Sequence, residues 1–175
     1  YINSIVTPES GGIVGVGSFS KYSTDVNANT VDGIDLNKDG TVDKVSEGGD
    51  DGLIVAYDSD GNYTWAKSFG GADDDALTKV VQTTDRGYAA VGYVSSTTVK
   101  YDGTAITALS KSGKEANLAH KDAVLIKLDS SGNYEWGVRF GGLADEEIMS
   151  VIQTSTQDLV VVGKYYSETF NFYNT

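Results

Sequence analysis

The segment Gly52-Leu53-Ile54-Val55-Ala56-Tyr57-Asp58-Ser59-Asp60-Gly61-Asn62-Tyr63-Thr64-Trp65 realigns without a gap on Ala123-Val124-Leu125-Ile126-Lys127-Leu128-Asp129-Ser130-Ser131-Gly132-Asn133-Tyr134-Glu135-Trp136, at an offset of 71. The same offset carries Phe69-Gly70-Gly71 onto Phe140-Gly141-Gly142, Val80-Val81-Gln82-Thr83 onto Val151-Ile152-Gln153-Thr154, and Val91-Gly92 onto Val162-Gly163. A partial copy opens the chain, where Ile5-Val6 and Val16-Gly17 fall on Val80-Val81 and Val91-Gly92 at an offset of 75. A chain that repeats itself at such a period is an array of one supersecondary unit, and each unit buries its apolar faces only against its neighbours. The expected organisation is a single repeat-built segment of about two and a half units, 1–79, 80–150 and 151–175.

Each unit reads as two hairpins. In one, Lys79 to Gln82 and Tyr88 to Tyr93 flank the polar turn Thr83-Thr84-Asp85-Arg86-Gly87. In the other, Leu53 to Tyr57 and Tyr63 to Phe69 flank Asp58-Ser59-Asp60-Gly61-Asn62, whose Asp, Gly and Asn supply turn chemistry. Leu53-Ile54-Val55 and Val124-Leu125-Ile126 are continuously apolar, which predicts strands covered on both faces. Tyr63 to Phe69 and Tyr134 to Phe140 alternate, as strands packed on one face do. With 21 glycines, one proline and eleven tyrosines, the fold class expected is all-β, in antiparallel four-stranded units. Two long polar insertions interrupt the units, Lys21 to Gly49 and Ser95 to Lys121. They share no sequence with one another and are expected to be functional decoration.

The pattern Asp-Ala, four apolar residues, x-x-Ser-x-Gly-Asn-x-x-Trp, Phe-Gly-Gly, an acidic run and a hairpin ending in Val-Gly resembles the β-propeller repeat of bacterial exported and cell-surface proteins. It is carried by Asp122 to Trp136, Phe140 to Glu147 and Val151 to Gly163, and again by Asp51 to Trp65, Phe69 to Asp75 and Val80 to Gly92. The resemblance covers nearly everything except the insertions. It implies blades of four strands, an extracellular or cell-surface location and a scaffold or adhesion role, with no catalytic residue to carry over. These units are longer than is usual for that family, and so few cannot close a ring, so the resemblance implies a piece of a larger protein or assembly with other chains.

There is no cysteine, so neither disulfides nor thiolate metal sites are available. A net charge of −12 argues against nucleic acid, whose phosphates need Lys and Arg partners. No apolar run approaches the roughly 20 residues needed to cross a bilayer, so no membrane insertion is expected of this segment. The start Tyr1-Ile2-Asn3-Ser4 has no signal-peptide character, so any targeting signal or anchor is expected to lie outside the segment or to be absent. The partners expected are neighbouring blades or other copies of the chain, with glycans or a host or matrix protein as ligands.

The sharpest local motif is Asp35-Leu36-Asn37-Lys38-Asp39-Gly40-Thr41-Val42-Asp43. Oxygen-bearing residues at positions 1, 3, 5 and 9 around a glycine at 6 match a Ca²⁺ loop of the EF-hand and dockerin-like kind, because this hard cation takes six to eight oxygen ligands. The expected ligands are Asp35, Asn37, Asp39, the Thr41 carbonyl and Asp43. Position 12 is Ser46 where a bidentate Glu belongs, so Glu47, Asp50 or Asp32 is expected to close the shell. The alternative is a solvated acidic turn.

Asp73-Asp74-Asp75 and Asp145-Glu146-Glu147 recur after each Gly-Gly, which points to structural hydrogen bonding, with a second cation site as the alternative. Trp65, Trp136, Tyr63 and Tyr134 recur and are expected between blades rather than under sugars. Tyr22, Tyr101, Tyr165, Tyr166 and Tyr173 fall outside the repeat and are better binding-surface residues. His120 is a lone surface histidine, and no acid pair or nucleophile elbow marks a hydrolase. The expectation is a non-enzymatic, calcium-stabilised structural or adhesive module; a carbohydrate-binding accessory module is the alternative, and a sialidase- or lyase-type enzyme the weakest.

Overall fold

A computed structural model describes residues 1–20, 33–110 and 120–168, and the backbone of 171–174. The described residues form an all-β, propeller-like fold of antiparallel sheets. The first blade runs β1 (Ile2–Val6), β2 (Ile13–Phe19), β3 (Asp51–Tyr57) and β4 (Tyr63–Gly70), each paired with the next. The second repeats the plan with β5 (Asp75–Gln82), β6 (Tyr88–Val94), then β9 (Asp122–Leu128) and β10 (Tyr134–Gly141). β11 (Glu146–Gln153) and β12 (Leu159–Tyr165) make a two-stranded third sheet. The offsets persist in the ladders: Val16 faces Ile54 in the first blade, and Val91 faces Leu125 in the second.

Alternation of side chains across a strand explains the continuous apolar runs. Ile54 and Ala56, with Val14 and Val16, join Leu77, Val80, Val124 and Ile126 in a core between the first and second blades. Leu125, with Ala89 and Val91, turns the other way and meets Ile148 and Val151 of the third sheet. The turns follow their chemistry. Asp58 Oδ1 accepts the N–H groups of Asp60 and Asn62, and Asp129 Oδ1 those of Ser131 and Asn133. Gly61 and Gly132 hold φ of 82° and 76°, a region glycine enters without strain. At Gly132 the missing side chain matters twice, because a Cβ would lie 2.5 Å from the Trp65 ring. The indole sits between this turn and Tyr88, whose ring centroid is 6.3 Å away, so Trp65 packs between blades as its recurrence predicts.

In the stretch 95–121 the described residues, 95–110 and 120–121, carry regular structure where a decorative loop was expected. They contain β7 (Lys100–Tyr101), β8 (Thr104–Ala105) and a single 3₁₀ turn, Thr107–Leu109. β7 pairs with β4 of the preceding blade, placing Tyr101 opposite Phe69. β13 (Asn171–Asn174) pairs with β10 in the same way, placing Phe172 opposite Phe140. The 95–121 insertion and the segment after β12 thus each lend a strand to the outer edge of the blade before it, which covers that edge. Ile106 and Leu109 then fill the crevice against Val124 and Ile126. Ile34 and Leu36 of the first insertion pack likewise on Phe19, Leu53, Val55 and Ala66. Among the described residues no helix is long and apolar enough to cross a membrane.

Candidate functional site

An up-and-down meander puts every β1–β2-type and β3–β4-type turn at one end of the sheets. The Gly-Gly bends and the acidic runs, with the points where the insertions leave and rejoin the sheets, lie at the other. At that second end the third residue of the first acidic run, Asp75, is buried, and Oδ1 accepts the N–H groups of Ser95 and Ser96. Its Oδ2 takes the Gly71 N–H at 2.8 Å and the Ser96 hydroxyl at 2.6 Å. Glu146, its counterpart, accepts from Gly142, Tyr166 and Ser167. Asp74 and Asp145 accept the Asp50 and Lys121 N–H groups at the same offset. The acidic runs are therefore internal acceptors that tie the Gly-Gly bend to the strands beside it. Burial pushes the Asp75 carboxyl up, while these donors work against the shift.

Asp51 and Asp122 occupy equivalent places at the starts of β3 and β9, and both are buried. Their surroundings differ. Arg139, fully buried, donates from Nε to Asp122 Oδ2 at 2.6 Å, and from its terminal nitrogens to the carbonyls of Ser96, Leu109 and Val94. The residue 71 positions before Arg139 is Ser68. Asp51 Oδ2 accepts the Glu47 N–H at 2.7 Å, while Oδ1 is buried with no hydrogen-bond partner among the described residues. Burial, joined by the charges of Asp75 and Glu47, pushes the Asp51 carboxyl up to about 7.

The Asp35–Asp43 loop stands on the outer face of the first blade, held by Ile34 and Leu36 and by the Tyr57 hydroxyl on the Leu36 carbonyl. The backbone turns sharply through Lys38 at φ 60° and Gly40 at φ 87°. Asp35 accepts from Lys38 N and Gly40 N, Asn37 Oδ1 from Asp39 N, Asp39 from Thr41, and Asp43 from Leu36 N and Asn37 N. The bond from the Thr41 hydroxyl holds the Asp39 carboxyl below its ordinary range. The donors are the hard oxygens Ca²⁺ prefers. Each carboxylate is engaged by the loop's own N–H groups, and among the described residues no three His, Cys, Asp or Glu side chains are grouped closely enough to hold a metal ion. Glu47 turns to Lys100, and Asp50 gives its N–H to Asp74. Asp32 lies outside the described residues.

Beside this loop Asp102 links Lys44 and Lys67, at 2.5 and 3.1 Å. With Lys67, Tyr101, Ile106, Asn133 and Tyr134 it lines a cleft of about 660 Å³. Tyr101 is not a surface aromatic: it is buried, and its hydroxyl donates to the Gly132 carbonyl. Tyr165 and Tyr166 are exposed. Tyr22 lies outside the described residues, and of Tyr173 only the backbone, in β13, is described. His120 is half-buried and has an acidic neighbour after all, Asp145 at 3.8 Å.

Other contacts join blade to blade. Gln82 accepts the Glu9 N–H, and Gln153 the Thr84 N–H, both one blade back. Asn3 and Thr78 sit at the β-bulges of β1 and β5, where the extra residue re-aims its side chain. They donate to the carbonyls of Leu77 and Ile148, one blade forward.

No family model matches the chain. Over 125 residues it is 28% identical to the uncharacterized WD repeat-containing protein L264 of Acanthamoeba polyphaga mimivirus. The match covers 70% of the chain and 9% of that protein, so the chain spans a small fraction of the relative's length. A distant likeness to a WD-repeat protein agrees with the propeller-like sheets.

Proposed function

We propose that the chain is a structural and adhesive β-propeller-like module of an extracellular or cell-surface protein, and that it makes contact through the Asp35–Asp43 loop on the outer face of its first blade. The observation that carries this reading is the division of labour among residues. Trp65, Gln82 and Gln153 are spent on blade-to-blade contacts, and the buried Asp75 and Glu146 on tying each Gly-Gly bend to the strands beside it, whereas Trp136 is left 36% exposed, against the expectation that it packs between blades. The non-recurring Asp35–Asp43 loop is seated firmly by Ile34, Leu36 and Tyr57, yet presents its polar residues to solvent. A shaped, exposed loop on a rigid scaffold is where recognition is commonly placed. No reaction is proposed. The test is binding of the labelled chain to panels of matrix proteins and glycans, with residues 34–44 replaced by a Gly-Ser linker as the comparison. Saturable binding that the replacement abolishes is expected; equal binding by both forms would sink the reading.

Calcium is part of the proposal. Asp35, Asn37, Asp39, Thr41 and Asp43, with Glu47 released from Lys100, would hold the ion and lock the loop. Ca²⁺ at a hundredfold excess over its Kd would add about 2.7 kcal/mol to stability, which corresponds to a melting midpoint raised by roughly 5–11 °C. The rise should vanish with chelator and in the Asp35→Ala/Asp39→Ala double variant. A midpoint indifferent to calcium would remove the ion from the proposal.

A carbohydrate-binding reading is favoured by one observation, the cleft that joins Tyr134 to the polar side chains of Lys67, Asp102 and Asn133. Aromatic and hydrogen-bonding groups together suit a sugar ring, and the glycan panel examines this reading as well.

A further inference from the structure

The turn between β3 and β4 has a twin between β9 and β10. Asp58 accepts from Asn62 Nδ2 at 3.1 Å, and Asp129 from Asn133 Nδ2 at 2.9 Å. The backbone bonds of the two turns also match, Asp60 and Ser131 each giving only an N–H to the aspartate. The turn can therefore be built with either residue at that position, and the differences between the copies are free to serve something else.

Two of them flank the asparagine symmetrically. Asp60-Gly61-Asn62-Tyr63-Thr64 stands where the second unit has Ser131-Gly132-Asn133-Tyr134-Glu135. Asn62-Tyr63-Thr64 is the one Asn-x-Ser/Thr sequence in the 175 residues, and this is the tripeptide in which an oligosaccharyltransferase joins a glycan to asparagine. Alone it is a common coincidence. Transferases that act on folded, exported proteins read in addition an acidic residue two places before the asparagine, and Asp60 is that residue. The twin turn has neither flanking group.

The fold keeps the site open. Asp60, Asn62 and Thr64 are all exposed. This does not depend on what stands before the first blade, because the second turn shows the same positions with a blade packed on it. There Gly132 meets the Trp65 ring, yet Ser131, Asn133 and Glu135 remain exposed. Thr64 is moreover the bulged residue of its hairpin: Tyr63 faces Tyr57 and Trp65 faces Ala56, so Thr64 has no ladder partner and is tied down by its hydroxyl on the Ala56 carbonyl. Its release unzips nothing. Glu135 at the same place reaches Lys127 instead, so the turn does not need a threonine there.

We propose that Asn62 is an N-glycan acceptor, with Thr64 and Asp60 as the groups the transferase reads. The Asn62 Nδ2 atom bonds to the anomeric carbon of a lipid-pyrophosphate oligosaccharide. The bond from that carbon to the pyrophosphate oxygen breaks, the lipid pyrophosphate leaves with the electron pair, and Nδ2 gives up one proton. The amide has two hydrogens, so the one that remains can keep the bond to Asp58 and the turn survives. The inference rests on the extracellular reading, since only an exported chain meets such a transferase.

The folded 175-residue chain is incubated with a purified oligosaccharyltransferase of the kind that reads the acidic residue, together with a lipid-pyrophosphate oligosaccharide of known mass. Intact mass and the tryptic peptide Val45–Lys67, in which Asn62 is the one asparagine, give the readout. A single adduct on that peptide is expected, lost in Asn62→Gln and in Thr64→Ala and kept in Thr64→Ser. Asp60→Ala should slow transfer about tenfold or more, the scale of losing a hydrogen bond to a charged group. The Ser131→Asp/Glu135→Thr double variant should gain a second adduct at Asn133; Lys127 keeps Asp85 in that variant. No adduct on a folded chain while a control acceptor peptide is modified, transfer seen only after unfolding in urea, or a folded double variant without the second adduct would each overturn the proposal. The assay needs neither a surface location nor a binding partner, so its failure and that of the matrix and glycan panels are separate results.

Discussion

Arg139→Ala is expected to cost about 3–5 kcal/mol of folding stability, the range for breaking a buried ion pair by removing one partner. For a chain of this length that lowers the melting midpoint by roughly 6–20 °C. The guanidinium is fully buried and bonds the Asp122 carboxylate together with the carbonyls of Ser96, Leu109 and Val94. It therefore ties β10 to β9, to the end of β6 and to the 3₁₀ turn of the insertion. Alanine leaves Asp122 buried without its counter-charge and three carbonyls without this donor, and opens a cavity the size of the side chain. The Arg139→Ala/Asp122→Ala double variant should recover part of the loss, because it removes the stranded charge as well. Urea unfolding of the three proteins decides the matter. A single variant within 1 kcal/mol of the wild type, or a double variant no better than the single, would show that the pair does not anchor the blade.

The parts of the fold that could be read from sequence are those whose signal recurs. The recurrence of Trp65 points to packing between blades, and the apolar runs Leu53–Val55 and Val124–Ile126 to strands covered on both faces, because side chains alternate along a strand. Gln82 and Gln153 stand at the 71-residue offset too. Their role as staples depends on which backbone N–H each side chain meets, a relation between blades that spacing within a blade does not carry. Arg139 was invisible for the opposite reason: its counterpart is Ser68, so the repeat gives no hint that a charge is needed there. β7 escaped because a two-residue strand has no measurable period. One clue was available, since the aromatics Tyr101 and Phe172 are themselves 71 apart. The Asp35–Asp43 wrap was readable because Asp, Asn and Gly act through local hydrogen bonds. Its seat on the first blade was not, since Ile34 and Leu36 look like ordinary apolar residues in a polar stretch.

Ser68 has a second consequence, in the dependence of stability on pH. Asp51 is 2% exposed, without an arginine, beside the negative charges of Asp75 and Glu47. Its carboxyl is raised from an ordinary 3.8 to about 7 by burial first and by those charges next. Between about pH 4 and pH 7 the folded chain therefore holds a proton that the unfolded chain has released. Stability from this residue is complete below the lower value, falls as pH rises through the interval, and is fully lost above about 7. Asparagine keeps the shape of the neutral acid and cannot ionise. Asp51→Asn is accordingly expected to stabilise the chain at pH 8 by on the order of 2–4 kcal/mol, the lower figure allowing for residual solvation of the site. At pH 4.5 the same substitution should be close to neutral. Chemical denaturation at pH 4.5, 6 and 8 measures the difference between variant and wild type directly. That difference should widen with pH; one constant across the series would mean that Asp51 is already ionised in the folded chain at pH 4.5, with a cation nearby in the role Arg139 has beside Asp122.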